Sequence, residues 1–250
     1  KRMKACNRMP SFFGLMFLCE INDERDKMSV AQLASRELIL FDLDGTLVDS
    51  AFDLYRAMNM SLNALQLPNV TEAQVRTWIG KGTALFCHST LQYLTGQVDP
   101  AQHQQLLETF LRIYNAEPCI DTKPFNGVID FLEWGLNHNK QMICVTNKPE
   151  QPARMIVESL GLTQYFVDVI GGDRFEERKP HPRQLLFCVD QYGVTAAETL
   201  MIGDSSNDVE AARRAGVDCI VVSYGYNHGE DIRDCQPQQV VDDLTELFAK

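Results

Sequence analysis

The stretch Leu38-Ile39-Leu40-Phe41-Asp42-Leu43-Asp44-Gly45-Thr46-Leu47-Val48-Asp49 sets an unbroken apolar run directly against an acidic turn. Four successive apolar residues with no polar alternation describe a strand buried on both faces, as in a parallel sheet covered by helices. In open sheets of that kind ligands bind beyond the carboxyl ends of the strands, so Asp42 and Asp44 are expected at the rim of a site. Gly45 gives the backbone the freedom that a turn there needs. Taken alone, an Asp-x-Asp-Gly-Thr string is equally readable as an acidic turn.

Downstream, short apolar runs alternate with amphipathic stretches, the signature of βαβ units. Strands are predicted over 38–42, 142–146, 166–170, 200–203 and 219–223. Pro149 opens a helix stopping near Gly161, Pro182 one stopping at Gly193, and Ser206 one stopping at Gly216. Thr195-Ala-Ala-Glu198 matches a capping box but sits too close to the next strand for a helix, and is expected to be a turn. Residues 51–121 contain no strand-like run. Ala51, Leu54, Tyr55, Met58, Leu62 and Leu65 recur at helical spacing before Pro68, Thr71 with Gln74 forms a capping box, and Asp99-Pro100 opens a helix to about Ala116. The expected fold is α/β, a Rossmann-like core of mostly parallel strands (36–50 and 124–250) with a small α-helical cap (51–123) inserted after the first strand. Residues 1–35 are expected to be an extension.

The 250 residues carry 23 Lys plus Arg against 34 Asp plus Glu, a net charge of −11. Such a chain lacks the basic footprint that binding to a phosphate backbone requires, so no nucleic-acid partner is expected. Its eight cysteines show no zinc-like spacing and suit a reducing cytoplasm, with Cys144, Cys188 and Cys219 as apolar core residues. A basic start (Lys1, Arg2, Lys4, Arg8) followed by an apolar run from Phe12 to Cys19 resembles a secretory signal only superficially. No small-residue cleavage site follows, and the run is shorter than the ~20 residues that span a bilayer. Translation running upstream of a start at Met28 is expected, with a targeting segment as the alternative; no membrane association is expected elsewhere.

Three further features fall at the ends of the later strands: Thr146-Asn147-Lys148, Lys179-Pro-His-Pro182, and Asp204-Ser-Ser-Asn-Asp208. Each has a plain alternative, since a strand-ending Thr forms turns, a Lys beside Pro is solvated and an Asp opening a helix is a cap. Their joint placement at strand ends, in order, points to one site. Should Asp42, Asp44, Asp204 and Asp208 converge, each close pair of like charges at ~4 Å costs about 4 kcal/mol at an effective dielectric near 20. A hard divalent cation with oxygen ligands, together with Lys179, would neutralise them. Mg²⁺ suits a set of carboxylates that leaves room for water and phosphate, and the lack of His or Cys at ligand spacing argues against zinc.

On these residues the chain resembles the haloacid dehalogenase superfamily, whose four motifs are matched in order by Asp42-x-Asp44, Thr146, Lys179 and Asp204-x-x-x-Asp208. The strings FDLDGTLVDS, VTNKP, GDSSNDVEAARRAG and YGYNHGE resemble its bacterial phosphoglycolate phosphatases in particular. The resemblance implies an Mg²⁺-dependent phosphomonoesterase that cleaves 2-phosphoglycolate, a small anionic ester. Asp42 would be the nucleophile and Asp44 the acid and base. Asp42, Asp44 through its backbone carbonyl, and Asp204 would hold the metal, with Asp208 supporting them, and Thr146 and Lys179 would clamp the phosphoryl oxygens. Asn147 would bind or support at the same place. The stretch from Val75 to Gly82 resembles the family's cap loop, so Arg76 or Lys81 is expected to meet the substrate carboxylate; the alternative is a surface helix residue and a solvated loop cation. Dehalogenases of the superfamily lack the carboxylate at the position of Asp44, whose presence points to phosphate. Sister phosphatases or a β-phosphoglucomutase-like transferase would keep the same four motifs, and a catalytically silent phosphate-binding module would be expected to lose one. His181 is expected to fix its loop, Trp78 and Trp134 to pack, and the chain to act as monomer or homodimer.

Overall fold

The computed structural model describes residues 27–249. Six strands, β1 (Leu38–Phe41), β4 (Gln141–Val145), β5 (Asp168–Ile170), β6 (Thr199–Gly203), β7 (Asp218–Val222) and β8 (Gln239–Val241), form one parallel sheet in the order β5-β4-β1-β6-β7-β8. A second, two-stranded ribbon pairs β2 (Val48–Asp49) with β3 (Lys123–Pro124) antiparallel. The fold is α/β with a mostly parallel sheet, as the sequence predicts.

β1 is central, and this explains its unbroken apolar run. Ile39 and Phe41 face one core with α6 (Val128–Asn137) and α7 (Glu150–Ser159). Leu38 and Leu40 face the other with α8 (Arg183–Gln191) and α9 (Ser206–Ala215). All four are fully buried, each contributing about 1.5–3 kcal/mol of apolar burial. α7, α8 and α9 occupy the stretches predicted, and α9 ends at Gly216 with φ +69°, the left-handed conformation that stops helices. At Thr195 the Glu198 carboxylate does accept from the Thr195 N–H and hydroxyl, but it caps a single 3₁₀ turn, Ala196–Glu198.

Between β2 and β3 lie α2 (Ala51–Ala64), α3 (Glu72–Trp78), α4 (Thr83–Thr95) and α5 (Pro100–Tyr114). Their apolar faces, among them Met58, Leu62, Val75, Phe86, Leu91, Leu106 and Phe110, build a third core of their own. Thr71 and Gln74 form the reciprocal capping box, and Asp99 caps α5 before Pro100. Asp53, fully buried on α2, closes the base of this layer. One of its oxygens accepts from the N–H groups of Ile120, Asp121 and Thr122 at 2.9–3.0 Å and from the Thr122 hydroxyl at 2.7 Å. Burial alone would raise its pKa, but these bonds, from Thr122 first, hold the carboxyl below its ordinary value. Asp53→Ala strands those donors, and should cost about 2–4 kcal/mol in urea unfolding. A loss under about 1 kcal/mol would show that water replaces the carboxylate.

The extension expected to run through residue 35 is not uniform. α1 (Val30–Ala34) opens with a Ser29–Gln32 capping box, Met28 and Leu33 are buried in the first core, and the Met28 N–H donates to Gln239 at 2.7 Å. The expectations for residues 1–26 lie outside the described residues. Among the described residues no helix is long and apolar enough to cross a membrane, and six cysteines are free thiols.

Candidate active site

The parallel sheet delivers its polar groups to one edge. Asp42 follows β1, Thr146 follows β4, Lys179 lies in the loop between β5 and α8, and Asp204 follows β6; all four are buried. Asp208 sits in the first turn of α9. Carboxylate oxygens of Asp42, Asp204 and Asp208 lie within 4.8 Å of one another. The Lys179 ammonium is 2.9 Å from Asp42, 2.7 Å from Asp208, and donates to the Val145 carbonyl at 2.7 Å.

Charge dominates this cluster. Burial, more than the neighbouring Asp208 and Asp44, raises the Asp42 carboxyl to about 6 despite Lys179. Asp204 is pushed well up by burial and then by the charges of Asp42 and Asp208. Burial would lower Lys179, but Asp208 and Asp42 together hold it above its ordinary value. Asp42 Oδ1 is buried and, though close to Lys179, makes no aligned hydrogen bond. Three crowded carboxylates sharing one lysine, with one oxygen short of an aligned hydrogen bond, fit a hard cation and do not suit a dry ion-pair network alone.

Asp208 is both cap and anchor. Its Oδ2 accepts from the Ser205 hydroxyl at 2.7 Å and the Ser205 N–H at 3.1 Å, while Oδ1 takes Lys179. Asp204 Oδ1 accepts from Thr46 at 3.3 Å and Oδ2 from the Tyr226 N–H at 2.7 Å. The approach is close: a Cβ on Gly225 would fall 2.1 Å from that of Asp204.

Asp44 stands apart from the three. Its carboxylate accepts from Lys148 Nζ at 2.7 and 2.8 Å and from the Ser50 hydroxyl. Burial would lower Lys148, but Asp44 holds it above its ordinary value. The Asn147 amide donates to the Gly80 and Lys179 carbonyls at 2.9 and 2.8 Å, tying α3's following loop to the sheet edge. A cleft separates sheet edge from helical layer, with Asp42, Asp44, Thr146, Asn147 and Lys148 below and Leu54, Ile79, Phe86, Phe110 and Tyr114 above.

The two expected carboxylate-binding cations are not in this cleft. Arg76 pairs with Glu72 at 2.9 Å and Asp49 at 3.0 Å, and its guanidinium lies over the Tyr226 ring. Lys81 is exposed and does not line the cleft, although Gly80 and Gly82 do. His181 accepts from the Arg183 N–H within its own loop, and Trp78 and Trp134 pack against other rings. One contributor, Tyr226, escaped sequence reasoning. Lys148 carried a signal, a cation two residues past a strand-ending Thr. Tyr226 carried none: its hydroxyl donates to Asp49 at 2.7 Å and accepts from the N–H groups of Ser50 and Ala51.

The chain matches the haloacid dehalogenase-like hydrolase family over residues 39–222 and belongs to it. It is 39% identical over 216 residues to a phosphoglycolate phosphatase of Nitrosococcus oceani, covering 86% of this chain and 96% of that one. To a phosphoglycolate phosphatase of Photobacterium profundum it is 38% identical over 220 residues, 87% and 96% of the two chains. A crystal structure of a predicted phosphoglycolate phosphatase from Haemophilus somnus superposes with a TM-score of 0.80 at 30% identity, covering 84% of this chain and 95% of that chain. Family and relatives together make the chain a phosphatase of the haloacid dehalogenase type.

Proposed function

We propose that the chain is an Mg²⁺-dependent phosphomonoesterase that hydrolyses 2-phosphoglycolate to glycolate and phosphate through an aspartyl phosphate on Asp42. The observation that carries this is the Asp42 carboxylate, buried with an oxygen free of aligned hydrogen bonds on the floor of the cleft. Its relatives' activity supports the choice of ester.

In the first step a carboxylate oxygen of Asp42 attacks phosphorus and the bond to the glycolyl oxygen breaks. The leaving alkoxide takes a proton from the Asp44–Lys148 pair, which holds one across a 2.7 Å contact. In the second step water attacks the acyl phosphate, Asp44 accepts its proton, and phosphate leaves with Asp42 restored. Lys179 balances charge beside Asp42 throughout, and Thr146 with the backbone beyond it positions the phosphoryl oxygens, which is most of what this transfer asks of a protein. Asp42, the Asp44 carbonyl and Asp204 would hold the cation, with Asp208 fixing the loop behind them. When bound, the cation supplies positive charge against the phosphoryl oxygens and relieves the carboxylate repulsion.

A phosphate-release assay over small esters tests this. The expected result is a dominant rate for 2-phosphoglycolate, abolished by EDTA and restored by Mg²⁺. Comparable rates across esters would overturn the substrate, and EDTA-resistant turnover would overturn the metal.

A further inference from the structure

Phosphoglycolate carries a second anionic end one methylene carbon beyond its phosphate oxygen, so the group that reads it must face the same cleft. Arg76 is spent on Asp49 and Glu72, and Lys81 is outside. Among the described residues lining the cleft, Lys148 is the one cation. Its ammonium lies 4.9 Å from the centroid of the Tyr114 ring, at the end of α5. Tyr114 is only 3% exposed, lines the cleft, and its hydroxyl, with the Lys148 ammonium beside it, makes no aligned hydrogen bond. Burial pushes that phenol up to about 12, so at neutral pH it remains an O–H donor. The next residue, Asn115, also lines the cleft with a buried amide oxygen left unpartnered. An amide can turn either end to a ligand. Buried polar groups in folded proteins are paired as a rule, and a cluster of exceptions on one cleft wall calls for an occupant.

We propose that Tyr114 and Asn115, above Lys148, form the subsite that receives the substrate's carboxylate, an inference that rests on the phosphoglycolate reading. The Tyr114 hydroxyl and the Asn115 amide donate to the carboxylate oxygens, and the Lys148 ammonium, paired with Asp44, supplies the opposing charge as the ester binds, before that pair gives up its proton. A site built from such donors rejects an ester that lacks the acceptor, because its own polar groups are then left buried and unpaired.

The test compares 2-phosphoglycolate with 2-hydroxyethyl phosphate, which replaces the carboxylate by a neutral alcohol, in wild type, Tyr114→Phe and Asn115→Ala. Tyr114→Phe removes one oxygen that makes no aligned hydrogen bond in the fold, and thermal melting verifies that the variant stays folded. The expected result is a wild-type preference for the carboxylate ester that falls about tenfold in Tyr114→Phe, the value of one hydrogen bond to a charged group, through a higher KM for 2-phosphoglycolate. Asn115→Ala should lower the same ratio. A wild-type preference kept intact by both variants would overturn the subsite and leave the phosphoglycolate reading standing. Wild-type enzyme that hydrolyses both esters equally well would overturn that reading, and the carboxylate subsite with it.

Discussion

Asp42→Asn protein folds and loses turnover by at least about 10⁴-fold, the scale on which removing a covalent nucleophile acts. The amide keeps the shape of the carboxylate and lacks the oxygen that attacks phosphorus. Stability should move the other way. A carboxyl raised to about 6 in the fold is one whose charge the fold disfavours, so at pH 7 its ionised form weakens the metal-free protein. In EDTA the variant should therefore melt at or above wild type, because Lys179 keeps Asp208 and the Val145 carbonyl as partners. More than about 1% residual turnover, in a preparation free of host phosphatases, would move the nucleophile to another residue.

Lys179→Met should have the largest effect on stability. The lysine is buried between Asp42 and Asp208, and removing one partner of a buried charge pair costs about 3–5 kcal/mol. Methionine fills the stem's volume but leaves the triad with no counter-charge. Urea unfolding in EDTA measures the loss, and Mg²⁺ should restore part of it by taking over that charge. Turnover at saturating Mg²⁺ should still fall by about 10²–10³-fold, the scale for a lost donor to the developing charge. A destabilisation under about 1 kcal/mol in EDTA would mean that the triad holds its protons and needs no lysine.

The sheet and its acidic edge were legible because a parallel strand buried on both faces can only be apolar throughout, as 38–41 is, and because such strands all end on one side. Asp42, Thr146, Lys179, Asp204 and Asp208 came together on that logic. The direction of Asp44 was not legible, since it depends on Lys148, a residue from another strand's end. The pairing of Arg76 was illegible for the same reason, since Asp49 meets it only in the folded chain. Tyr114 carries the spacing of a core residue, and its phenol matters only because the cleft opens there. β8 escaped because Gln239-Val240-Val241 is short, at the sheet's edge, and follows a polar turn. The short helix α1 was not legible because one capping box and two apolar residues, Met28 and Leu33, are too little signal for a helix.

Val48 and Asp49 lie opposite Pro124 and Lys123, so the peptide leaves the sheet's territory and returns to it through one doorway. Everything between those two points is one continuous insertion that contributes no strand to the parallel sheet. Grafting a foreign roof at this doorway should therefore change which ester is recognised while leaving the order of the sheet intact.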